Sequence, residues 1–106
     1  MNPNNNSDIR SIIDADKIIH EPARVVILSL LNAVDSLDFV FLMNQTGLTQ
    51  GNLSSHLSKL EAAAYIEIEK TFHKRRPRTI IRISDTGRQV FTNYIETMKG
   101  FYNSIA

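Results

Sequence analysis

Residues 46–61 read Thr46-Gly-Leu-Thr-Gln-Gly-Asn-Leu-Ser-Ser-His-Leu-Ser-Lys-Leu-Glu61. Leu48, Leu53, Leu57 and Leu60 fall at the three- and four-residue spacing that buries one stripe of a short helix. An ordinary solvated helix face carries Glu and Lys pairs. This one carries Gln50, Asn52, Ser54, Ser55, His56 and Lys59, mostly short side chains that donate or accept hydrogen bonds at close range. Such a face suits contact with another polar surface, and the edge of a base pair in a DNA groove is one.

The neighbouring sequence places this helix. Upstream, Asp38 is positioned to cap a short helix that turns Phe39, Leu42 and Met43 inward, and Gly47 supplies the positive φ of a tight turn. Thr49 then caps the next helix, so the segment reads helix, short Gly-containing turn, helix. Downstream, from Tyr65, the period changes to two: Ile66 and Ile68, continuing toward Phe72, alternate with Glu67 and Glu69. Thr79 to Ser84, with Ile80, Ile81 and Ile83, reads as a second strand. Residues 73–78 are then expected to form the hairpin tip, with Pro77 confined to the loop.

Towards the N-terminus, Glu21 or Pro22 should open a helix carrying Val25, Val26, Leu28 and Leu31 that stops at Asp35-Ser36. Before it, Asp8 is placed to cap a first helix bearing Ile9, Ile12, Ile13, Ile18 and Ile19. Residues 1–7 are Asn-rich and are expected to be disordered. At the other end, Ser84 and Gly87 mark a strand-to-helix corner, followed by a helix carrying Val90, Phe91, Tyr94, Ile95, Met98, Phe101, Tyr102 and Ile105. The expectation is a mainly α chain with a small β wing, an α+β fold, with residues 8–106 as one domain.

Composition narrows the function classes. The net charge is only +1, yet six of the twelve Lys and Arg residues (Lys70, Lys74, Arg75, Arg76, Arg78 and Arg82) lie in an acid-free run from Lys70 to Arg82. A layout this polarised can dock one face on a polyanion. There is no cysteine, hence no disulfide or thiolate metal site, and an intracellular, cytoplasmic protein is the simpler reading. The apolar runs are far shorter than the ~20 residues that span a bilayer, and the Asn-rich start lacks the features of a secretory leader. His20, His56 and His73 are too scattered for a metal site, and Asp14, Asp16 and Asp85 look like caps and solvated positions. No nucleophile–base set or phosphate-binding loop is present, so catalysis and a bound cofactor are not expected.

In this arrangement the chain resembles the small stand-alone winged helix-turn-helix regulators related to the MarR and ArsR groups. The resemblance is carried by Pro22-Ala23-Arg24, by Leu48 to Glu61, by Tyr65-Ile66, by Arg75-Arg76-Pro77-Arg78-Thr79 and by Ile83-Ser84-Asp85-Thr86-Gly87, in order across roughly residues 20–90. One departure is Ala64, where those regulators usually have Gly before the strand-opening Tyr. A Cβ disfavours a left-handed cap by about 1 kcal/mol, so the helix is expected to end differently or run one residue further.

The resemblance implies a recognition helix, about residues 49–63, in the major groove of double-stranded DNA. Its contacts would come from Thr49, Gln50, Asn52, Ser54, Ser55, His56 and Lys59. A basic wing, about residues 72–79, would lay Lys74, Arg75, Arg76 and Arg78 on phosphates or into a minor groove. It also implies a homodimer on a palindromic operator. The terminal helices supply the surplus apolar surface for one in Ile9, Ile12, Ile13, Phe91, Tyr94, Ile95, Met98, Tyr102 and Ile105. Phe41 and Met43 suit core better than an effector pocket, and the sequence defines no effector. The competing reading is a winged-helix module that binds protein and never touches DNA.

Overall fold

The computed structural model describes residues 9–106. Asp8 and the Asn-rich start lie outside the described residues. Helix α1 (Pro22–Asn32) begins as its sequence requires: the Glu21 carboxylate accepts the Arg24 N–H at 3.0 Å and Pro22 occupies the first turn. It stops at Asn32, earlier than the Asp35-Ser36 boundary, because residues 33–36 turn the chain into strand β1 (Leu37–Asp38). A strand of two residues has no readable period, and the sequence did not announce it. Asp38 ends that strand and also caps helix α2 (Phe39–Thr46), its Oδ1 accepting the Phe41 N–H at 2.7 Å. Leu42 is fully buried, and Phe39 and Met43 pack against the core as expected. Phe41 is instead exposed.

Gly47 closes α2 at φ 71°, and Thr49 caps helix α3 (Gln50–Ala62) by accepting the Asn52 N–H at 3.2 Å. Leu53, Leu57 and Leu60 are buried. At the far end, Ala64 adopts φ +64°, the conformation for which its Cβ is unsuited. The helix thus neither changes its ending nor runs on. Tyr65 N–H bonds to Leu60 C=O at 3.0 Å and Ala64 N–H to Glu61 C=O at 2.9 Å, the paired bonds of a Schellman ending, and these hold the strained residue in place. Because the Ala64 methyl is exposed, Ala64→Gly removes strain without opening a cavity. It should raise the unfolding free energy by about 1 kcal/mol in a denaturant titration.

Strands β2 (Ile66–His73) and β3 (Arg76–Ile83) form an antiparallel hairpin, and the sheet order is β1-β3-β2. The register pairs Ile66 with Ile83, Ile68 with Ile81, Lys70 with Thr79 and Phe72 with Pro77. The tip is tighter than the sequence suggested: only Lys74 and Arg75 are outside the strands, at φ 51° and 66°. Two successive left-handed residues are the pattern of a type I′ hairpin turn. Pro77 therefore sits in a strand, not a loop. In a two-residue hairpin the pair beside the turn, His73 and Arg76, exchanges the hydrogen bonds, so the next pair does not need the N–H that Pro77 lacks. β1 reaches only Ile80 and Ile81, so Pro77 is also on an open edge.

Helix α4 (Asp85–Ile105) is capped by Ser84, whose Oγ accepts the Gly87 N–H at 2.9 Å and donates to Ala64 C=O at 2.6 Å. The corner is tight: a Cβ on Gly87 would lie 1.9 Å from the Tyr65 carbonyl oxygen. Phe91 and Tyr94 pack into the core beside Ile19, Ile27, Leu28 and Ile81.

The N-terminal isoleucines do not share one helix. Residues 9–11 are helical and residues 12–14 already form a turn. Asp16 then folds the chain back, its Oδ1 accepting the N–H groups of Ile18 (2.8 Å) and Ile19 (3.1 Å). Ile19 is thereby buried, whereas Ile13 is 73% exposed. The other Asp16 oxygen accepts the Tyr65 hydroxyl. That hydrogen bond, with burial and the Asp16 charge, pushes the Tyr65 phenol up to about 12. Its support of the fold is complete below pH 10 and is lost as pH rises through 12. No helix among the described residues is long and apolar enough to cross a membrane.

Candidate nucleic-acid interface

Because Leu53, Leu57 and Leu60 face the core, the opposite side of α3 is open, centred on Gly51, Ser55, Ser58 and Ala62. Gln50 and Ser54 flank it on one side and Asn52 and Lys59 on the other. Thr49, Gln50, Asn52, Ser54, Ser55 and Lys59 are all exposed, and Thr49 also serves the cap. Gly51 and Ser58 join this face only through the helical geometry. Gly51 has ordinary helical φ, and a Cβ there would meet nothing within 4 Å. Neither backbone nor packing requires glycine at this position. It leaves the middle of the open face low.

His56 is placed differently. It is half-buried, and its Nδ1 lies 3.1 Å from an Arg24 guanidinium nitrogen and 3.7 Å from Glu21 Oε2. Arg24 is only 8% exposed and also donates through Nε to the Ile18 carbonyl. Guanidinium can only donate, so Nδ1 accepts and the ring proton belongs on Nε2, leaving Nε2–H as the ring's remaining donor. Arg24 thereby ties the α3 helix to the segment ahead of α1. This side chain appeared in the sequence only as part of a motif, since burial of a lone cation cannot be read from spacing.

The wing stands beside α3, and a cleft of about 500 Å³ between them is lined by Phe39, Gln50, Ser54, Ser58, Glu61, Lys70 and Thr79. Its cations divide into two groups. Arg78 is tied to Asp38 at 3.3 Å and Arg82 to Glu69 at 2.8 Å. Lys70, Lys74, Arg75 and Arg76 are exposed and have no acidic partner among the described residues. Three of these four occupy the tip. In the most favoured type I′ turns the two central positions hold Asn-Gly, so Lys74 and Arg75 put charge where conformational ease would choose other residues.

Of the apolar residues on the terminal segments, Phe91 and Tyr94 are buried inside the subunit. Tyr94 also bonds through its hydroxyl to His20 Nδ1 at 2.7 Å, and burial pushes its phenol upward. Ile12, Ile95 and Met98 are half-buried, while Ile9, Ile13, Tyr102 and Ile105 are exposed. Among the described residues, no cluster of three or more His, Asp or Glu is arranged to hold a metal.

A family model described as a winged helix DNA-binding domain matches residues 23–102. The chain belongs to that family. An uncharacterized protein of Methanocaldococcus jannaschii is 43% identical to this winged helix over 79 residues, 74% of this chain and 86% of that protein. The transcriptional regulator homologue from Pyrococcus horikoshii superposes on the winged helix with a TM-score of 0.85 at 25% identity, covering 93% of this chain and 97% of the other. A MarR-family regulator from Silicibacter pomeroyi shares the fold at TM-score 0.65 and 23% identity, over 95% of this chain and 66% of its own. By family the chain is thus a winged helix DNA-binding domain, and its fold is shared with the MarR-family regulator.

Proposed function

We propose that the protein is a homodimeric transcriptional regulator that binds double-stranded DNA, with α3 in the major groove and the wing on phosphates. One observation carries this reading: the unpaired cations Lys74, Arg75 and Arg76 sit at the tip of the hairpin beside the small, polar, open face of α3. A surface that binds protein has no need of an acid-free tip built on a disfavoured turn. Arg78, engaged with Asp38, can act only by exchanging that partner for a phosphate. Bases would be read by Gln50, Asn52, Ser54 and Ser55, with Lys59 and Thr49 on the backbone and His56 contributing its Nε2–H.

The test on the helix uses opposed effects. Gly51→Ala should stabilise the fold by about 0.5–1 kcal/mol, the helix-propensity difference, and weaken DNA binding by filling the low point of the face. Asn52→Ala or Ser55→Ala should change which duplexes are enriched from a randomised pool more than it changes average affinity. Unchanged affinity of Gly51→Ala together with unchanged selection by both others would remove α3 from the interface.

The dimer is supported by shape and exposure. The described chain is elongated, 62 × 25 × 21 Å, and the 21-residue α4 runs on past Met98, the last of its residues that packs against the core. Tyr102 at 57% and Ile105 at 59% exposure, with Ile9 and Ile13, leave an apolar surface at the ends of the chain. Pairing about a two-fold axis would cover this surface and present two α3 helices to a palindromic site, about 34 Å apart. Sedimentation at micromolar concentration should report twice the 12.0 kDa chain mass, and Tyr102→Glu with Ile105→Glu should halve it. A monomeric wild type contradicts this part of the reading.

A further inference from the structure

We propose that Phe72, backed by Pro77, is an apolar DNA contact on the inner face of the wing, packing against deoxyribose in the minor groove between the cationic arms of the tip. The inference rests on the DNA-binding reading above and adds to it a contact of different chemistry.

Phe72 is 74% exposed, the most exposed large hydrophobic side chain among the described residues. Its register fixes where it points. Ile66, Ile68, Lys70 and Phe72 alternate onto one face of β2, opposite Ile83, Ile81, Thr79 and Pro77 of β3. The first two pairs cover the core, the third lines the cleft against α3, and the fourth continues the same face past it. Phe72 and Pro77 therefore form an apolar pair about 13 Å beyond the Ile68–Ile81 pair, at ~3.3 Å per residue, where no part of the described chain covers them. The core has no use for an aromatic ring there, since the sheet already closes on Ile66, Ile68, Ile81 and Ile83.

Charge names the occupant. The pair is bounded by Lys70 on its own strand and by Lys74, Arg75 and Arg76 at the tip; of the acids on neighbouring elements, Asp38 beside Pro77 is paired with Arg78, and Glu61 shares the α3 cleft with Lys70 without an ion pair to it. A partner that accepts four cations and offers an apolar surface between them is a sugar-phosphate backbone, whose sugars line the minor groove between phosphate rows. Phe and Pro are also among the residues that minor-groove binders use as wedges.

Binding to a fluorescent duplex from the protein's own upstream region, measured by anisotropy over a range of salt, separates the outcomes. Phe72→Ala should lower affinity by roughly ten-fold or more, from the loss of apolar contact area, while the slope of log affinity on log salt stays at the wild-type value. Phe72→Leu should recover most of the loss. Arg75→Gln should reduce the slope instead. Because the ring is exposed, the thermal midpoint of Phe72→Ala should match wild type. Wild-type affinity for Phe72→Ala overturns the inference while leaving the DNA reading intact; a loss accompanied by a reduced slope overturns it too, since that would mean the wing had moved. Absence of DNA binding by the wild type refutes the underlying reading itself.

Discussion

Gly87→Ala is expected to lower the unfolding free energy by roughly 3 kcal/mol or more, the range of severe steric substitutions. The new Cβ would lie 1.9 Å from the Tyr65 carbonyl oxygen, 2.7 Å from its carbon and 2.9 Å from its Cα. These are backbone atoms, so no rotamer change relieves the clash. Tyr65 cannot retreat freely either: its C=O accepts the Ser84 N–H at 3.0 Å, its N–H bonds to Leu60, and its hydroxyl holds Asp16. The substitution thus strikes the point where the end of α3, the start of β2, the cap of α4 and the N-terminal segment meet. For a domain of this size the thermal midpoint should fall by about 12 °C or more, at about 4–8 °C per kcal/mol. A calorimetric scan in which Gly87→Ala matches the wild type would show that the corner is looser than described.

Binding should respond most strongly to changes in the wing. Lys74→Asn, Arg75→Gly and Arg76→Gln together remove the three unpaired cations of the tip while giving the turn the residues that its left-handed φ values prefer. Stability and binding should therefore move in opposite directions. The hairpin should gain roughly 1 kcal/mol from relief of two left-handed residues. DNA affinity should fall by about three orders of magnitude near physiological salt if each subunit gives up three phosphate contacts, and the loss should be similar on all sequences. Equal affinity for the triple variant would leave the acid-free tip without a role. A loss confined to one duplex sequence would assign these residues to base reading instead.

Much of this architecture is legible in the chain because it rests on short-range chemistry. Asp38, Thr49 and Ser84 each cap a helix with a side-chain oxygen, and Gly47 takes the positive φ a tight turn demands. Leu53, Leu57 and Leu60 are core because their spacing admits no other arrangement on a helix of this length. What the sequence hid depends on contacts between distant residues. Strand β1 exists only because β3 offers it an edge, and Pro77 is tolerated in β3 only because β1 stops short of it. Ile18 and Ile19 look helical until Asp16 is seen to turn the chain back. Ala64 keeps a left-handed conformation that its own preference opposes, since the flanking hydrogen bonds of the helix ending impose it.

The candidate site divides in the same way. Exposure of Gln50, Asn52, Ser55 and Lys59 follows from helical period alone, whereas the attachment of His56 to Arg24 joins residues 32 apart in the chain and needs the packed structure. The acid-free stretch of the wing is plain in the sequence. That Arg78 and Arg82 are already paired, leaving the tip cations unmatched, is visible only once Asp38 and Glu69 are placed beside them.

The salt dependence of duplex binding by the intact protein decides whether the wing and α3 together form a DNA-binding surface. For the proposed dimer, with three tip cations on each subunit, log affinity should fall linearly with log salt at a slope of roughly −5 or steeper. No binding at low salt, or binding whose strength is indifferent to salt, would contradict the DNA-binding reading.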